Sequence, residues 1–424
     1  MALEIRSFMV EHAEFSKGKN GITDHKLFIN KEIILRKLSH ELLEKVDLDI
    51  VSPGESTRII KVLDVVQPIA SRDQKIFPGF LNETLTVGWG STHRIEGFRL
   101  ISCGDFPQPQ TTSLTTKDGL IDMSGPGADY CISSDTINLV ITFYPKPSTS
   151  NEAFDQVSRK LMLDLAQYFG EMTFSLEPDE MLNYDLSEEN PELPTIIYIN
   201  QLQDQGPLIR PYLYGRPLGE NFVPTFINPL EMMDGAIVSG NYRNFMKKPT
   251  SFYLRDPIVE KLLEQHHKSL NFKGVIISRG HHGDTSLKLR SASSVAKLAK
   301  FAKADGVILA MEGTGNGTID FQFTLECCEK AGIKTVGIIH ELGGSLGDDT
   351  PLVYRSKYAD ALISTGGVER EFSLGSVDKV VGGSVFLNYS LGVENPHQGF
   401  KVRPMDLYGS CWKMSVAGFT CLEC

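Results

Sequence analysis

The sequence has no apolar run long enough to span a membrane and no excess of positive charge. A membrane-spanning helix needs roughly 18 consecutive apolar residues, and no segment reaches that length. The formal net charge is -11, which disfavours a general nucleic-acid binder, because such binding uses Lys and Arg to displace counterions. Glu4, Arg6 and Glu11 interrupt the apolar stretch that a secretion signal requires. We therefore expect a cytoplasmic protein that binds neither membrane nor nucleic acid.

Cysteine is scarce and unevenly placed. The chain has 7 cysteines, and an odd number without a secretion signal favours reduced thiols over a disulfide framework. Cys411, Cys421 and Cys424 lie close to the C-terminus, and the last two are separated by two residues, as in a dithiol pair. Three interpretations stay open for this group: electron transfer on a mobile arm, zinc binding, or no chemical role.

The length predicts more than one domain. Single hydrophobic cores stop growing at roughly 250–300 residues, and this chain has 424 residues, of which 41% are hydrophobic. We expect a strand-rich α+β domain at 1–150, a middle region at 151–251, a doubly wound α/β domain at 252–390 and a tail at 391–424. The middle region should open with a helix over Ala153–Phe169, where apolar residues recur every four positions.

The doubly wound domain is predicted from alternating helices and short apolar runs. Continuously apolar strands are typical of a parallel sheet that is covered on both faces. The predicted helices are 291–304 and 320–332, and the predicted strands are Gly274–Ser278, Gly306–Met311, Lys334–Ile339 and Ala361–Ser364. The fold class is therefore α/β, with a strand-rich N-terminal α+β region followed by a mostly parallel sheet.

Several sequence blocks occur in a characteristic order over most of the chain. They include PGES at Pro53–Ser56, MSGPGADY at Met123–Tyr130, DGAIVSGN at Asp234–Asn241, EGTGN at Glu312–Asn316 and ECCEKAGIKTV at Glu326–Val336. In these blocks the sequence resembles the alpha/beta precursor subunit of component B of glycine, sarcosine and betaine reductases, and the related D-proline reductase proprotein.

This resemblance implies a reaction and a partner. Members of the family cleave themselves after the asparagine of a segment similar to DGAIVSGN and leave a pyruvoyl group on the downstream fragment. The pyruvoyl carbonyl captures an amine substrate as a Schiff base, and a selenocysteine-bearing partner then displaces the amino group. The resemblance thus implies a hetero-oligomeric reductase that cleaves a C–N or related carbon–heteroatom bond of an amine or amino-acid derivative, with a selenocysteine- or cysteine-bearing subunit as partner.

The sequence departs from the family at the processing position. Family members have cysteine after the asparagine, whereas Asn241 is followed here by Tyr242. Cleavage to a pyruvoyl group needs a heteroatom on the β-carbon that attacks the preceding carbonyl and then leaves. A tyrosine hydroxyl lies across the ring from its β-carbon, and its ordinary pKa of about 10 keeps it protonated. We therefore expect an uncleaved chain with no pyruvoyl group and no other cofactor.

Three alternatives follow from this departure. Cleavage could occur at Ser239 instead, or Tyr242 could be a neutral replacement in a subunit that has lost activity. The third and preferred alternative is that the pocket persists for a substrate that needs no Schiff base, such as one with a quaternary amine, and that Tyr242 lines it as an aromatic wall or hydrogen-bond donor. A non-catalytic scaffold or small-molecule sensor with the same fold is the alternative function.

A glycine-rich turn is the predicted substrate-binding site. It lies between a predicted strand and a predicted helix, where open α/β sheets bind ligands. Its glycines permit close approach of an anion, and the helix N-terminus favours negative charge. The residues proposed for a carboxylate-bearing substrate are Glu312, Gly313, Gly315, Asn316 and Asp320. A tight turn without a ligand is the alternative.

Two histidines follow the Gly274–Ser278 strand in a glycine-flanked loop. Histidine titrates near neutral pH, so His281 or His282 could protonate a departing amine. Together with Asn241 and Tyr242 they form the predicted catalytic set. A metal site would need further ligands, such as His340 and Glu341. A structural role for these histidines is the alternative.

Overall fold

The structure is a computed structural model that describes residues 2–108, 118–206, 208–242, 246–388 and 392–412. None of the helices within those ranges is both long and apolar enough to cross a membrane. The α-helices are Lys31–Lys37, Asn151–Glu171, Pro229–Met233, Thr250–Leu254, Pro257–Gln265, Thr285–Phe301 and Asn316–Lys330, and the 3-10 helices are Ala128–Tyr130 and Pro404–Asp406.

The N-terminal region is rich in strands, as predicted. Most of its strands belong to two four-stranded sheets. The strand order of the first is Glu180–Asp185, Ala2–Met9, Gly90–Glu96, Ile69–Ser71. The order of the second is Leu43–Val51, Ile137–Pro145, Phe98–Gly104, Val62–Val66. The region also contains two three-stranded sheets. The strand order of the first is Leu120–Asp122, Thr57–Ile60, Lys379–Val381. The order of the second is His12–Phe15, Lys26–Ile29, Gly21–Thr23.

A six-stranded sheet forms the second half of the molecule. Its order is Thr225–Ile227, Asn271–Gly280, Thr195–Gln203, Gly306–Met311, Lys334–Glu341, Ala361–Gly367, and each neighbouring pair is parallel except the first. The remaining strands form small sheets: Arg216–Pro217, Tyr212–Leu213 and Ile237–Val238; Phe372–Ser373 and Lys401–Val402; Phe386–Asn388 and Gly392–Glu394.

Both faces of the central strands of the six-stranded sheet are buried, whereas the outermost strand Ala361–Gly367 is partly exposed. Successive side chains of a strand point to opposite faces, so Ile276 packs with the helices Thr285–Phe301 and Asn316–Lys330, while Val275 and Ile277 pack with the helix Pro257–Gln265. This arrangement explains why the strands are continuously apolar and confirms the predicted α/β class.

The long helix Asn151–Glu171 packs against the N-terminal sheets. The side chain of Ser150 accepts a hydrogen bond from the backbone N–H of Ala153, which caps the helix. Phe154, Leu165 and Phe169 are buried in the N-terminal core, and each side chain contributes about 1.5–3 kcal/mol through burial. Asp155, Ser158 and Arg159 in the first turns of this helix contact the segment that precedes Tyr242.

Candidate active site

The carboxyl ends of three adjacent strands define the candidate site. Gln203 and Gly280 are aligned at the ends of their parallel strands. Glu312 directly follows the strand Gly306–Met311, and its backbone N–H donates to the carbonyl of Gln201 at 2.7 Å. Ligands of open α/β sheets bind at this edge. The predicted glycine-rich turn, the histidine loop and Tyr242 all meet there.

Glu312 lies at the centre of a buried polar cluster. Its side chain is fully inaccessible to solvent. One oxygen accepts from the Tyr242 hydroxyl and the Lys248 backbone N–H, both at 2.7 Å. The other accepts from the Tyr253 hydroxyl at 3.0 Å and the Gln203 backbone N–H at 3.1 Å. Burial raises the pKa of Glu312 above its usual value, although the hydrogen bonds from Lys248, Tyr242 and Gln203 and the charge of Lys248 oppose that shift.

Tyr242 is a core residue rather than a surface residue, with 1% of its surface exposed. Burial, and then the negative charge of Glu312, raise the pKa of Tyr242 well above its usual value. The phenol therefore stays protonated and donates to the carboxylate. Tyr253 has its pKa raised for the same two reasons. The cluster thus presents two neutral phenols to one carboxylate.

Lys248 brings a buried ammonium to the same cluster. Its Nζ donates to Asn200 Oδ1 at 2.8 Å and to the Tyr198 hydroxyl at 3.0 Å, and it lies 3.5 Å from Asp256 Oδ2. The centroid of the Trp412 ring is 4.1 Å away. Burial lowers the pKa of Lys248, and the charge of Asp256 opposes this effect.

Lys247 is equally buried but points to the N-terminal sheets. Its Nζ donates to the carbonyls of Leu63 and Gly240 and lies 3.4 Å from Asp64 Oδ1. Burial lowers the pKa of Lys247 to about 8, against the raising effect of Asp64. The ammonium therefore links the backbone just before Asn241 to a strand of the N-terminal region.

The segment Ser239–Asn241 is also fixed by the long helix. Asn241 Nδ2 donates to the carbonyl of Asp155 at 3.1 Å and to Ser158 Oγ at 2.9 Å. Arg159 Nε donates to the carbonyl of Ser239 at 3.3 Å, while its Nη2 donates to Asp155 Oδ1 at 2.5 Å. Both side chains of this ion pair are buried. The predicted processing segment is therefore held inside the protein from both sides.

The glycine-rich turn is built around the His281 ring. Gly313 has a φ of +106°, and a Cβ there would lie 2.5 Å from His281 Nε2, so only glycine allows the ring to pack on the turn. Gly315 has a φ of +57° and precedes the helix Asn316–Lys330 without capping it through a side chain. Asn316 Nδ2 donates to the carbonyl of His282 at 3.0 Å, which ties the turn to the histidine loop.

The two histidines have different surroundings. His281 has a φ of +63°, and burial lowers its pKa to about 4, so the ring is neutral at pH 7. His282 Nδ1 lies 2.6 Å from Asp320 Oδ1, and Lys288 Nζ donates to the other oxygen of Asp320. Asp320 is thus in contact with two basic side chains, whereas His281 is the ring that faces the turn.

Several buried polar atoms around this edge have no hydrogen-bond partner among the residues that the structure describes. They are Asn200 Nδ2, Gln203 Oε1, Ser239 Oγ and both ring nitrogens of His281. Buried polar groups are nearly always hydrogen-bonded in native proteins, so unpaired ones indicate a missing water or ligand. The site therefore has free donors and acceptors for a small polar molecule.

The remaining predicted residues lie apart from this cluster or outside the described ranges. Cys411 is buried, and burial raises the pKa of its thiol. Cys421 and Cys424 lie outside the described residues. Burial lowers the pKa of His340 to about 4, and Glu341 lines a surface cavity of about 750 Å³. Across the described part of the chain, no group of three or more His, Cys, Asp or Glu side chains is placed to hold a metal ion.

Sequence analysis missed several residues of the site, notably Lys247, Lys248, Tyr253 and Arg159. A signal was present for Arg159. Asp155 and Arg159 are four positions apart on the predicted helix, a spacing that pairs charges on one face. The adjacent lysines carried no such signal, because their acidic partners come from distant parts of the chain.

The fold and the site define an α/β protein with a carboxylate-centred polar cluster at the carboxyl edge of a parallel sheet. Residues 1–398 match the model of glycine/sarcosine/betaine reductase component B subunits, and the chain belongs to that family. The resemblance inferred from the sequence blocks is therefore confirmed.

Three characterised relatives illustrate the similarity. The chain is 34% identical over 392 residues to sarcosine reductase complex component B subunit alpha of Peptoclostridium acidaminophilum, covering 90% of this chain and 89% of the relative. It is 35% identical over 395 residues to glycine reductase complex component B subunits alpha and beta of Acetoanaerobium sticklandii, with the same coverage. It is 33% identical over 402 residues to betaine reductase complex component B subunit alpha of P. acidaminophilum, covering 90% and 88%. No solved structure matches the chain significantly.

Proposed function

We propose that this chain is the substrate-binding subunit of a component-B-type reductase complex and that it works uncleaved, without a pyruvoyl group. The observation that carries this proposal is the hydrogen bond from Tyr242 to Glu312 inside the core. It bonds the hydroxyl of the residue after Asn241 to a carboxylate, which supports a chain that stays uncleaved.

The residues at this position do not fit a pyruvoyl group. Tyr242 has no heteroatom on its β-carbon, and its hydroxyl is already bonded to Glu312. Ser239, the alternative nucleophile, is buried, and the amide N–H of the bond that it would have to break donates to Thr250 Oγ1 at 3.0 Å. The chain must therefore bind its substrate through side chains that it already has.

The cluster suits a substrate whose nitrogen already carries a positive charge. Aromatic rings and a carboxylate stabilise an ammonium group by cation–π and Coulomb attraction, and Tyr242, Tyr253 and Glu312 supply both. When a nucleophile bonds to the adjacent carbon, the C–N bond breaks, its electron pair goes to nitrogen, and a neutral amine leaves. Such a leaving group needs no Schiff base.

The nucleophile in this proposal comes from a partner chain. We propose a selenocysteine- or cysteine-bearing reductase subunit, because Cys411 of this chain is buried with a raised pKa, and a thiol in that state is a weak nucleophile. The complex would act on an amine or amino-acid derivative and cleave its C–N bond, or a related carbon–heteroatom bond, reductively.

Affinity purification of the full chain from the cells that produce it tests this proposal. We expect a selenocysteine- or cysteine-bearing reductase chain to co-purify in stoichiometric amount and the complex to release an amine from a quaternary or secondary amino-acid derivative. A chain that purifies alone and binds no amine would instead support the scaffold or sensor function.

A further inference from the structure

A second cavity lies next to the Glu312 cluster, separated from it by two aromatic rings. It has a volume of about 290 Å³ and is lined by Phe252 and Trp412 together with Arg99, Arg255 and two carboxylates, Asp135 and Glu260. The rings of Phe252 and Trp412 are 5.3 Å apart, and both also lie within cation–π distance of Lys248. One wall is therefore shared between this cavity and the candidate active site.

Arg99 and Arg255 line the cavity. Arg94 is not part of the lining, but it shares Glu96 and Glu260 with these two arginines. Arg255 donates to Glu96 at 2.7 Å and to Glu260 at 2.9 Å. Arg94 reaches Glu260 at 3.3 Å, and Arg99 lies 3.7 Å from Glu96. Each guanidinium carries five N–H donors, so Glu96, Glu260 and the Phe98 carbonyl, which accepts from Arg99 at 2.9 Å, supply fewer acceptors than the three side chains have donors.

The shortage of acceptors is visible at Arg94. This side chain is buried, and its Nε and Nη2 have no hydrogen-bond partner in the described part of the chain. Burial lowers the pKa of Arg99, and the charges of Arg255 and Arg94 lower it further, while Glu96 and Asp135 oppose them. A buried guanidinium without acceptors is costly, and an added acceptor is correspondingly favourable.

We propose that this cavity binds the carboxylate group of a small ligand through Arg99 and Arg255. A planar guanidinium matches a carboxylate in a two-bond geometry, which makes arginine the residue best suited to this ligand. The inference rests on the proposed function for one step only, that the ligand is the reductase substrate. In that case the carboxylate binds to the arginines and the charged nitrogen packs on the aromatic wall that the cavity shares with the Glu312 cluster.

Trp412 provides a reporter for binding. The chain has 2 tryptophans, and the other, Trp89, is partly exposed, so the Trp89→Phe variant leaves Trp412 as the sole emitter. We expect sodium acetate, added at constant ionic strength, to change its emission saturably, whereas acetamide, which has the same shape without the charge, does not.

Matched variants then assign the site. Arg255→Gln should weaken acetate binding at least tenfold, and Arg255→Lys should weaken it less. Arg290→Gln, which removes an exposed arginine from the helix Thr285–Phe301, should change it less than twofold. Arg99→Lys gives an independent variant if circular dichroism shows that Arg255→Gln is misfolded.

Two results would overturn the inference: equal responses to acetate and acetamide, or acetate binding that neither the Arg255 nor the Arg99 variant weakens. This test is separate from that of the proposed function. If the chain binds acetate but has no reductase partner, the carboxylate site is retained and the reductase role is rejected. If the chain forms a reductase complex but its cavity does not bind acetate, the reductase role is retained and the carboxylate site is rejected.

Discussion

Replacing Glu312 with alanine should lower the free energy of unfolding by about 3–5 kcal/mol, a typical cost of leaving buried charged networks without one partner. The substitution removes the acceptor of four hydrogen bonds, two from hydroxyls and two from backbone N–H groups. Each buried donor left without an acceptor costs about 1–3 kcal/mol, less whatever water recovers. Denaturant unfolding measures the change.

Graded variants make this test specific. Tyr242→Phe removes one of the four donors and should cost about 0.5–3 kcal/mol. Glu264→Ala, at a half-exposed position on the helix Pro257–Gln265, should change stability by less than about 0.5 kcal/mol. If Glu312→Ala lowered the free energy of unfolding no more than Glu264→Ala, the hydrogen bonds of Glu312 would not stabilise this edge of the sheet.

The protonation of Glu312 adds a pH signature to this prediction. Because burial raises its pKa above the usual 4.5, the folded protein retains a proton that the unfolded chain loses as the pH rises above that value. The wild-type protein should therefore lose stability relative to Glu312→Gln as the pH increases from 4.5.

Arg159→Met is the second substitution with a large expected effect. It leaves Asp155 as a buried carboxylate without its ion-pair partner, which typically costs about 3–5 kcal/mol. Burial lowers the pKa of Arg159, but the charge and hydrogen bond of Asp155, together with Tyr212 and Asp64, outweigh it and raise the pKa overall. The carbonyl of Ser239 also loses its donor, and the segment before Tyr242 should become sensitive to protease.

The neighbouring residue gives a matched control for this variant. Lys160 lies on the exposed side of the same helix and pairs with Asp164 at the surface. Lys160→Met should change stability by less than about 1 kcal/mol, as is usual for exposed pairs. Equal effects of Arg159→Met and Lys160→Met would show that the ion pair does not hold the Ser239–Asn241 segment in place.

The sequence predicted the parallel sheet well because its strands are apolar on both faces. The strand Gly306–Met311 has the predicted bounds, and Lys334–Glu341 extends the predicted one by two residues. The helix Thr285–Phe301 begins six residues before the predicted position 291. The signal was Asp284, whose side chain caps that helix by accepting from two backbone N–H groups.

The site was predicted in its residues but not in its contacts. Glu312 was expected in a substrate-binding turn and Tyr242 at the processing position, yet nothing local indicates that they touch, since 70 positions separate them. The buried lysines were missed for the same reason. Their positions depend on Asp64 and Asp256, which only the tertiary fold brings close.

The intact mass of the purified full-length chain, measured together with its reaction towards a hydrazide, tests the central claim most directly. A tyrosine buried against Glu312 cannot attack the preceding carbonyl and then leave its β-carbon, as a β-thiol does. We therefore expect one species of 47.0 kDa that does not react with the hydrazide. Two fragments divided at Asn241 or Ser239, the smaller of them labelled by hydrazide, would contradict this account.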